Sequence, residues 1–116
     1  MTIKRYESGK RLSQVLVHEG RAFVSGQTAE DLAADIRGQT RQVLAQVDRL
    51  LALAGTDKSK ILYANIWLRN GADFDAMNEI WEAWVTPGCA PSRATIGSPL
   101  VGPDSMLIEI ALQAAV

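Results

Sequence analysis

Two kinds of apolar spacing alternate along the chain. Residues 12–18 read Leu-Ser-Gln-Val-Leu-Val-His and residues 21–25 read Arg-Ala-Phe-Val-Ser, both rich in strand formers. Glu19-Gly20 lies between them, and its glycine accepts the positive φ of a tight turn. The pair predicts a β-hairpin. It closes at Ser25-Gly26-Gln27, where Gly26 permits a bend or a close backbone approach. Residues 28–33 are small and polar, a loop. From about Ala34 to Ala54 the spacing becomes helical, with Ile36, Val43, Leu44, Val47, Leu50, Leu51 and Ala54 on one broad stripe. Gly38 weakens this helix without ending it, and Gly55 is placed to cap it.

Ile61 to Leu68 then predicts a strand with Tyr63, Asn65 and Trp67 on one face and Leu62, Ala64, Ile66 and Leu68 on the other. A second helix follows from Ala72 or Asp73. Phe74, Met77, Ile80 or Trp81, and Trp84 form its buried stripe, and it stops before Pro87-Gly88. A short strand over 93–98, a turn-rich connection through Gly97-Ser98-Pro99 and Gly102-Pro103, and a last strand from Met106 to Val116 complete the order β-β-α-β-α-β-β. That order predicts an α+β fold, a mixed sheet with both helices on one face. The other face, carrying Tyr63, Asn65 and Trp67, is left without a cover. An aromatic uncovered face invites self-association, so a closed homo-oligomer with clefts between subunits is expected.

Composition narrows the picture. The 116 residues form one domain, 1–116, with no linker or repeat. A net charge of −1, with both signs interspersed, predicts no nucleic-acid or membrane-surface partner. The single cysteine, Cys89, excludes an internal disulfide and fits a reducing compartment. The start of the sequence lacks the apolar core of a signal peptide and no apolar run is long enough to span a bilayer, so the expected location is the cytoplasm. One Cys and one His make no zinc set, and no Ser-His-Asp signature or phosphate loop is present.

The charged residues in the most apolar late segments are Arg93 and Glu109. A half-buried guanidinium keeps its charge and needs a partner, and its planar fork suits a carboxylate. If strands 93–98 and 106–116 pair as neighbours, the two side chains come close. They then form either an internal salt bridge or a functional pair, Arg93 holding a substrate carboxylate and Glu109 orienting or deprotonating a water. Thr95 shares a strand face with Arg93 and is either a ligand contact or simply a strand former. Ser25-Gly26-Gln27 is either a plain turn or a source of backbone groups for a ligand. His18, beside the turn, reads as a solvated residue. Cys89, next to Pro87-Gly88, is a weak candidate for a nucleophile. Trp67, Trp81 and Trp84 read as core or interface anchors.

In combination these residues resemble a known family. Ser25-Gly26-Gln27, Gly38-Gln39-Thr40-Arg41-Gln42, Asp73-Phe74 with Met77-Asn78, Trp81-Glu82-Ala83-Trp84, Pro91-Ser92-Arg93-Ala94-Thr95 and Leu107-Ile108-Glu109-Ile110-Ala111 are collinear with the Rid family of reactive-intermediate deaminases, the YjgF-type imine/enamine deaminases. The resemblance spans residues 10–115 and implies a chorismate-mutase-like fold, a homotrimer and three clefts between subunits. It also implies cofactor-free hydrolysis of 2-imino or 2-enamino acids to 2-oxo acids and ammonia, without metal. By position, Arg93 matches the arginine that grips the substrate carboxylate and Glu109 the glutamate of the hydrolytic water. Gly26 and Asn78 fall beside the ligand. The chain departs from the best-known members at Leu12, where they carry a tyrosine, and at Thr95, where they carry a cysteine. Gly97 stands where many relatives have a larger or acidic residue. These departures imply a divergent subgroup. The alternative to an enzyme is a small-carboxylate-binding or chaperone-like module that uses the same cleft without turnover.

Overall fold

The Asp35 side chain accepts the backbone N–H of Gly38 at 2.8 Å and so starts the longer helix. The computed structural model describes residues 2–116. Helix α1 runs Ile36–Leu53, and Gly55 follows at φ 83°, the left-handed conformation that stops a helix. All seven apolar residues of the expected stripe are buried. Gln39 and Thr40 are buried with them. The threonine satisfies its hydroxyl on the Ile36 carbonyl at 2.7 Å.

The strands are β1 (Lys4–Ser8), β2 (Ser13–His18), β3 (Arg21–Gln27), β4 (Ile61–Leu68), β5 (Ser92–Gly97) and β6 (Ile108–Ala115). Helix α2, Phe74–Trp84, connects β4 to β5 and is preceded by a single 3₁₀ turn at Gly71–Asp73. The hairpin of β2 and β3 turns at Glu19 and Gly20, both at positive φ, as the two-residue turn demands. β1 is a strand that hydrophobic spacing does not reveal. Lys4, Arg5, Glu7 and Ser8 alternate nothing apolar, and the segment is held as an edge strand by pairing with β2.

The six strands form one mixed sheet in the order β1-β2-β3-β6-β4-β5. β4 and β5 are parallel, joined across α2, and every other pair is antiparallel. β6 lies between β3 and β4, so β5 and β6 are not neighbours. This corrects the expected pairing of 93–98 with 106–116. The physical reason is the crossover, since a parallel strand that follows a helix takes the free edge beside β4. Both helices pack on the face that carries Val15, Ala22, Val24, Ala64, Ile66, Ile108, Ile110 and Leu112, and these residues with the helix stripes make the core. The molecule measures 43 × 37 × 20 Å, its short dimension matching one sheet and one helical layer.

Two side chains depart from their expected faces. A register irregularity between Ile61 and Tyr63 puts Ile61 in the core and leaves Leu62 45% exposed. Phe74 stands at the first turn of α2 and is 43% exposed, so the buried stripe of that helix begins at Met77. The face away from the helices carries Phe23, Tyr63, Asn65, Trp67, Ala111 and Gln113. No helix among the described residues is long and apolar enough to cross a membrane.

Candidate functional site

Arg93 lies on the edge strand β5, in register with Ala64, whose side chain is fully buried under the helices. It therefore projects toward the helical layer. Its guanidinium carbon sits 5.3 Å from the ring centre of Trp81 on α2, a cation–π contact. Burial pushes the guanidinium below its ordinary pKa, and the nearby Glu82 carboxylate pulls it back up. Among the described residues Arg93 forms no ion pair. Its five donors face an aromatic ring and a carboxylate beyond pairing distance, which leaves the fork free for a planar anion.

Thr95 is in register with Ile66 and so shares the Arg93 side of the sheet. Its Oγ1 is buried without a hydrogen-bond partner among the described residues, and so is Oδ1 of Asn78. Asn78, Trp81 and Glu82 stand at i, i+3 and i+4 on α2 and share one side of the helix. Arg93, Thr95 and Asn78 thus belong to one group, built from β5 and α2.

Glu109 belongs to another. It is in register with Trp67 and is flanked by Ile108 and Ile110, which are buried under the helices. Its carboxylate is therefore on the opposite face of the sheet from Arg93. It lies against Gly26, at the irregularity of β3 between Val24 and Gln27. A Cβ built on Gly26 would overlap Oε2 of Glu109 and stand 3.0 Å from its Cδ. Leu12 is half exposed just before β2. The adjoining backbone is tied to the Gly26 region, since Ser25 Oγ donates to the Ser13 carbonyl at 2.6 Å. The six residues therefore fall into two groups on opposite faces of the sheet, Arg93–Thr95–Asn78 and Gly26–Glu109–Leu12. The internal Arg93–Glu109 salt bridge is absent.

Three other residues are outside the expected set. Trp81 and Glu82 contact or face Arg93, a role that their spacing from Asn78 on one helix already suggests. Gln39 is fully buried and braces the connection from β5 to β6. Its Nε2 donates to the Ser105 and Ala34 carbonyls at 2.7 and 3.0 Å, and its Oε1 accepts the Leu107 N–H at 3.0 Å. Arg69 adds bonds to the carbonyls of Met106 at 2.8 Å and Pro103 at 3.0 Å. The loop that joins the Arg93 strand to the Glu109 strand is thereby fixed. Cys89 is a half-buried thiol in the turn after α2, and His18 is half buried with Nδ1 unpartnered. Among the described residues no group of His, Cys, Asp or Glu is gathered as a metal set.

Comparison with known proteins agrees with this architecture. The family model described as Endoribonuclease L-PSP matches residues 2–116. The RutC family protein YoaB of Escherichia coli is 42% identical over 116 residues, covering all of both chains. A crystal structure of a YjgF family member from Neisseria meningitidis superposes with a TM-score of 0.95 at 37% identity, over 99% of this chain and 95% of that one. YyfA of Yersinia pestis, described as a protein of unknown function of the Rid family, superposes with a TM-score of 0.83 at 33% identity, over 94% of this chain and 90% of that one.

Proposed function

The chain belongs to the Endoribonuclease L-PSP family and is a YjgF/Rid-type protein, and from that premise we propose that it is a cofactor-free imine/enamine deaminase, hydrolysing 2-imino or 2-enamino acids to 2-oxo acids and ammonia. The observation that carries this reading is the state of Arg93. It is a partly desolvated guanidinium with no ion pair, and two buried polar atoms also lack partners, Oγ1 of Thr95 on the same strand face and Oδ1 of Asn78 on the same side of α2 as Trp81. Each such atom costs about 1–3 kcal/mol if left unmade, which a polar ligand would offset. The catalytic unit in this reading is a homotrimer, with each cleft formed where the Arg93 half-site of one copy meets the Gly26–Glu109 half-site of the next. The opposite-face placement of the two groups supports it.

The chemistry follows from the groups. Arg93 takes the substrate carboxylate in a bidentate pair, with Thr95 and Asn78 as further polar contacts. Glu109 accepts a proton from water as the water oxygen bonds to the electrophilic imine carbon. The carbon–nitrogen π electrons move to the nitrogen, which takes that proton from Glu109 to give the carbinolamine; the hydroxyl proton then passes to the nitrogen, the carbon–nitrogen bond breaks as the oxygen becomes a carbonyl, and the nitrogen leaves as ammonia. No oxidant or reductant is consumed. Holding the reactants in place supplies much of the acceleration, because an imine carbon needs little activation. A net charge of −1 and a lone, half-buried histidine favour this small acid over an RNA substrate.

The test generates imino acids in place with an amino-acid oxidase and follows release of ammonia. The wild-type protein is expected to speed release, and Arg93→Ala to lower kcat/KM by at least about 30-fold, the equivalent of about 2 kcal/mol. Equal rates with and without the protein across several oxidase substrates would rule the deaminase out. Saturable binding of small carboxylates without turnover would leave the binding module as the function of the cleft.

A further inference from the structure

A groove opens between the last turn of α2 and the turn at Pro87-Gly88. It has a volume of about 300 Å³ and is walled by Trp81, Glu82, Val85, Pro87 and Ala90. Two of these walls, Trp81 and Glu82, are also the groups that Arg93 meets. The groove therefore shares two walls with the surroundings of the guanidinium. Its walls are set before any ligand arrives. The Val85 N–H is bonded to the Trp81 carbonyl at 2.9 Å, and the Cys89 N–H closes the turn on the Thr86 carbonyl at 2.9 Å. Gly88 holds the positive φ of 77° that the turn requires. Trp84 packs on Trp81 at a tilt of 47°, with ring centres 5.4 Å apart, and backs the wall.

We infer that this groove receives the side chain of the substrate, and that the protein selects 2-imino acids with apolar side chains over small or acidic ones. The inference rests on the deaminase reading above, since it takes the carboxylate to be on Arg93. In a 2-imino acid the carboxylate carbon and the side chain are both bonded to the same imine carbon. A carboxylate anchored on Arg93 thus leaves the side chain beginning next to Trp81. Val85, Pro87 and Ala90 offer it apolar surface. Glu82 is the one charged wall, and it meets a second carboxylate with repulsion. A leucine-derived substrate removes apolar area from water, an alanine-derived one removes little, and a glutamate-derived one brings like charges together.

The experiment compares imines made in place from leucine, phenylalanine, alanine and glutamate by oxidases of matching specificity. The expected order of kcat/KM puts leucine and phenylalanine at least about 10-fold above alanine, with glutamate lowest. Val85→Asp is expected to bring the leucine-to-alanine ratio toward one. Glu82→Gln, a mild change on an exposed residue, is expected to raise the glutamate-to-leucine ratio several-fold. Turnover that is indifferent to the side chain, or ratios that neither variant moves, would overturn the groove's role and leave the deaminase standing. No turnover of any of the four would instead overturn the deaminase reading, and this inference with it.

Discussion

The carboxylate of Glu109 occupies the space that a side chain on Gly26 would need. A Cβ at position 26 would overlap Oε2 and sit 3.0 Å from Cδ. The glycine therefore sets where the carboxylate can be. Gly26→Ala is expected to swing Glu109 away and lower kcat about 100-fold, since about an ångström of misplacement is enough for that. KM and the melting temperature should change much less, because Gly26 is exposed and the carboxylate can rotate into solvent. A variant with full activity would show that Glu109 is free to relocate, or takes no part.

The proposed division of the site between copies would have its own signature. Arg93→Ala and Glu109→Gln proteins, each inactive alone, are expected to recover activity when unfolded together and refolded. Random pairing would restore about one cleft in four, each with an intact arginine from one copy and an intact glutamate from another. If one copy supplied both residues, the mixture would stay as inactive as its parts.

Gln39 is fully buried and bonds to three backbone groups, on the loop before α1 and the connection from β5 to β6. Gln39→Ala is expected to cost about 2–4 kcal/mol of stability, from lost hydrogen bonds and newly unpaired backbone groups. Chemical denaturation measures this. Hydrogen exchange should also quicken in residues 99–107, the connection that Gln39 braces, more than in β2 or β3.

Glu7 and Arg49 tie β1 to α1 through a hydrogen-bonded ion pair. The hydrogen bond from Arg49, aided by its charge, holds the Glu7 carboxyl below the usual carboxylate range. The folded state thus favours the ionised form. Its contribution is present above the unfolded carboxylate pKa and is lost as pH falls through the lowered value. Amide protection of β1, corrected for intrinsic exchange, is expected to drop in that acidic window. Glu7→Gln should show reduced protection already at neutral pH and little further change. The pair is fully exposed, so the effect should also shrink in high salt.

Much of this was legible in the sequence, for identifiable reasons. The α1 stripe, the β2–β3 hairpin and the alternation of β4 come from strong local periodicity, and the structure reproduces them. β1 was hidden because an edge strand needs no apolar face, only a partner's backbone. Leu62 faces away from the side that alternation gives it because a single bulge shifts the pattern by one, and no local signal marks it. Arg93 and Glu109 stand out by a local property, charge within apolar runs. Their separation onto opposite faces was not legible, because it depends on β6 entering between β3 and β4. Such an insertion is decided by the whole sheet and not by either segment.

That insertion also has a meaning for synthesis. β6 comes last in chain order among the strands of this sheet, yet it fills the middle, where Val24 pairs with Leu112 and Ile66 with Ile110. Until it emerges, β3 and β4 each present an unpaired inner edge, and the apolar residues of both are exposed in the nascent chain. The hairpin and helices can form on the ribosome, but the sheet cannot close there until residues 108–115 have cleared the exit tunnel. Closure then requires contacts between segments far apart in sequence, which are slow to form. A chain stalled before β6 would carry two open strand edges, a template for aggregation. The final eight-residue strand is thus the one on which the solubility of everything made before it depends.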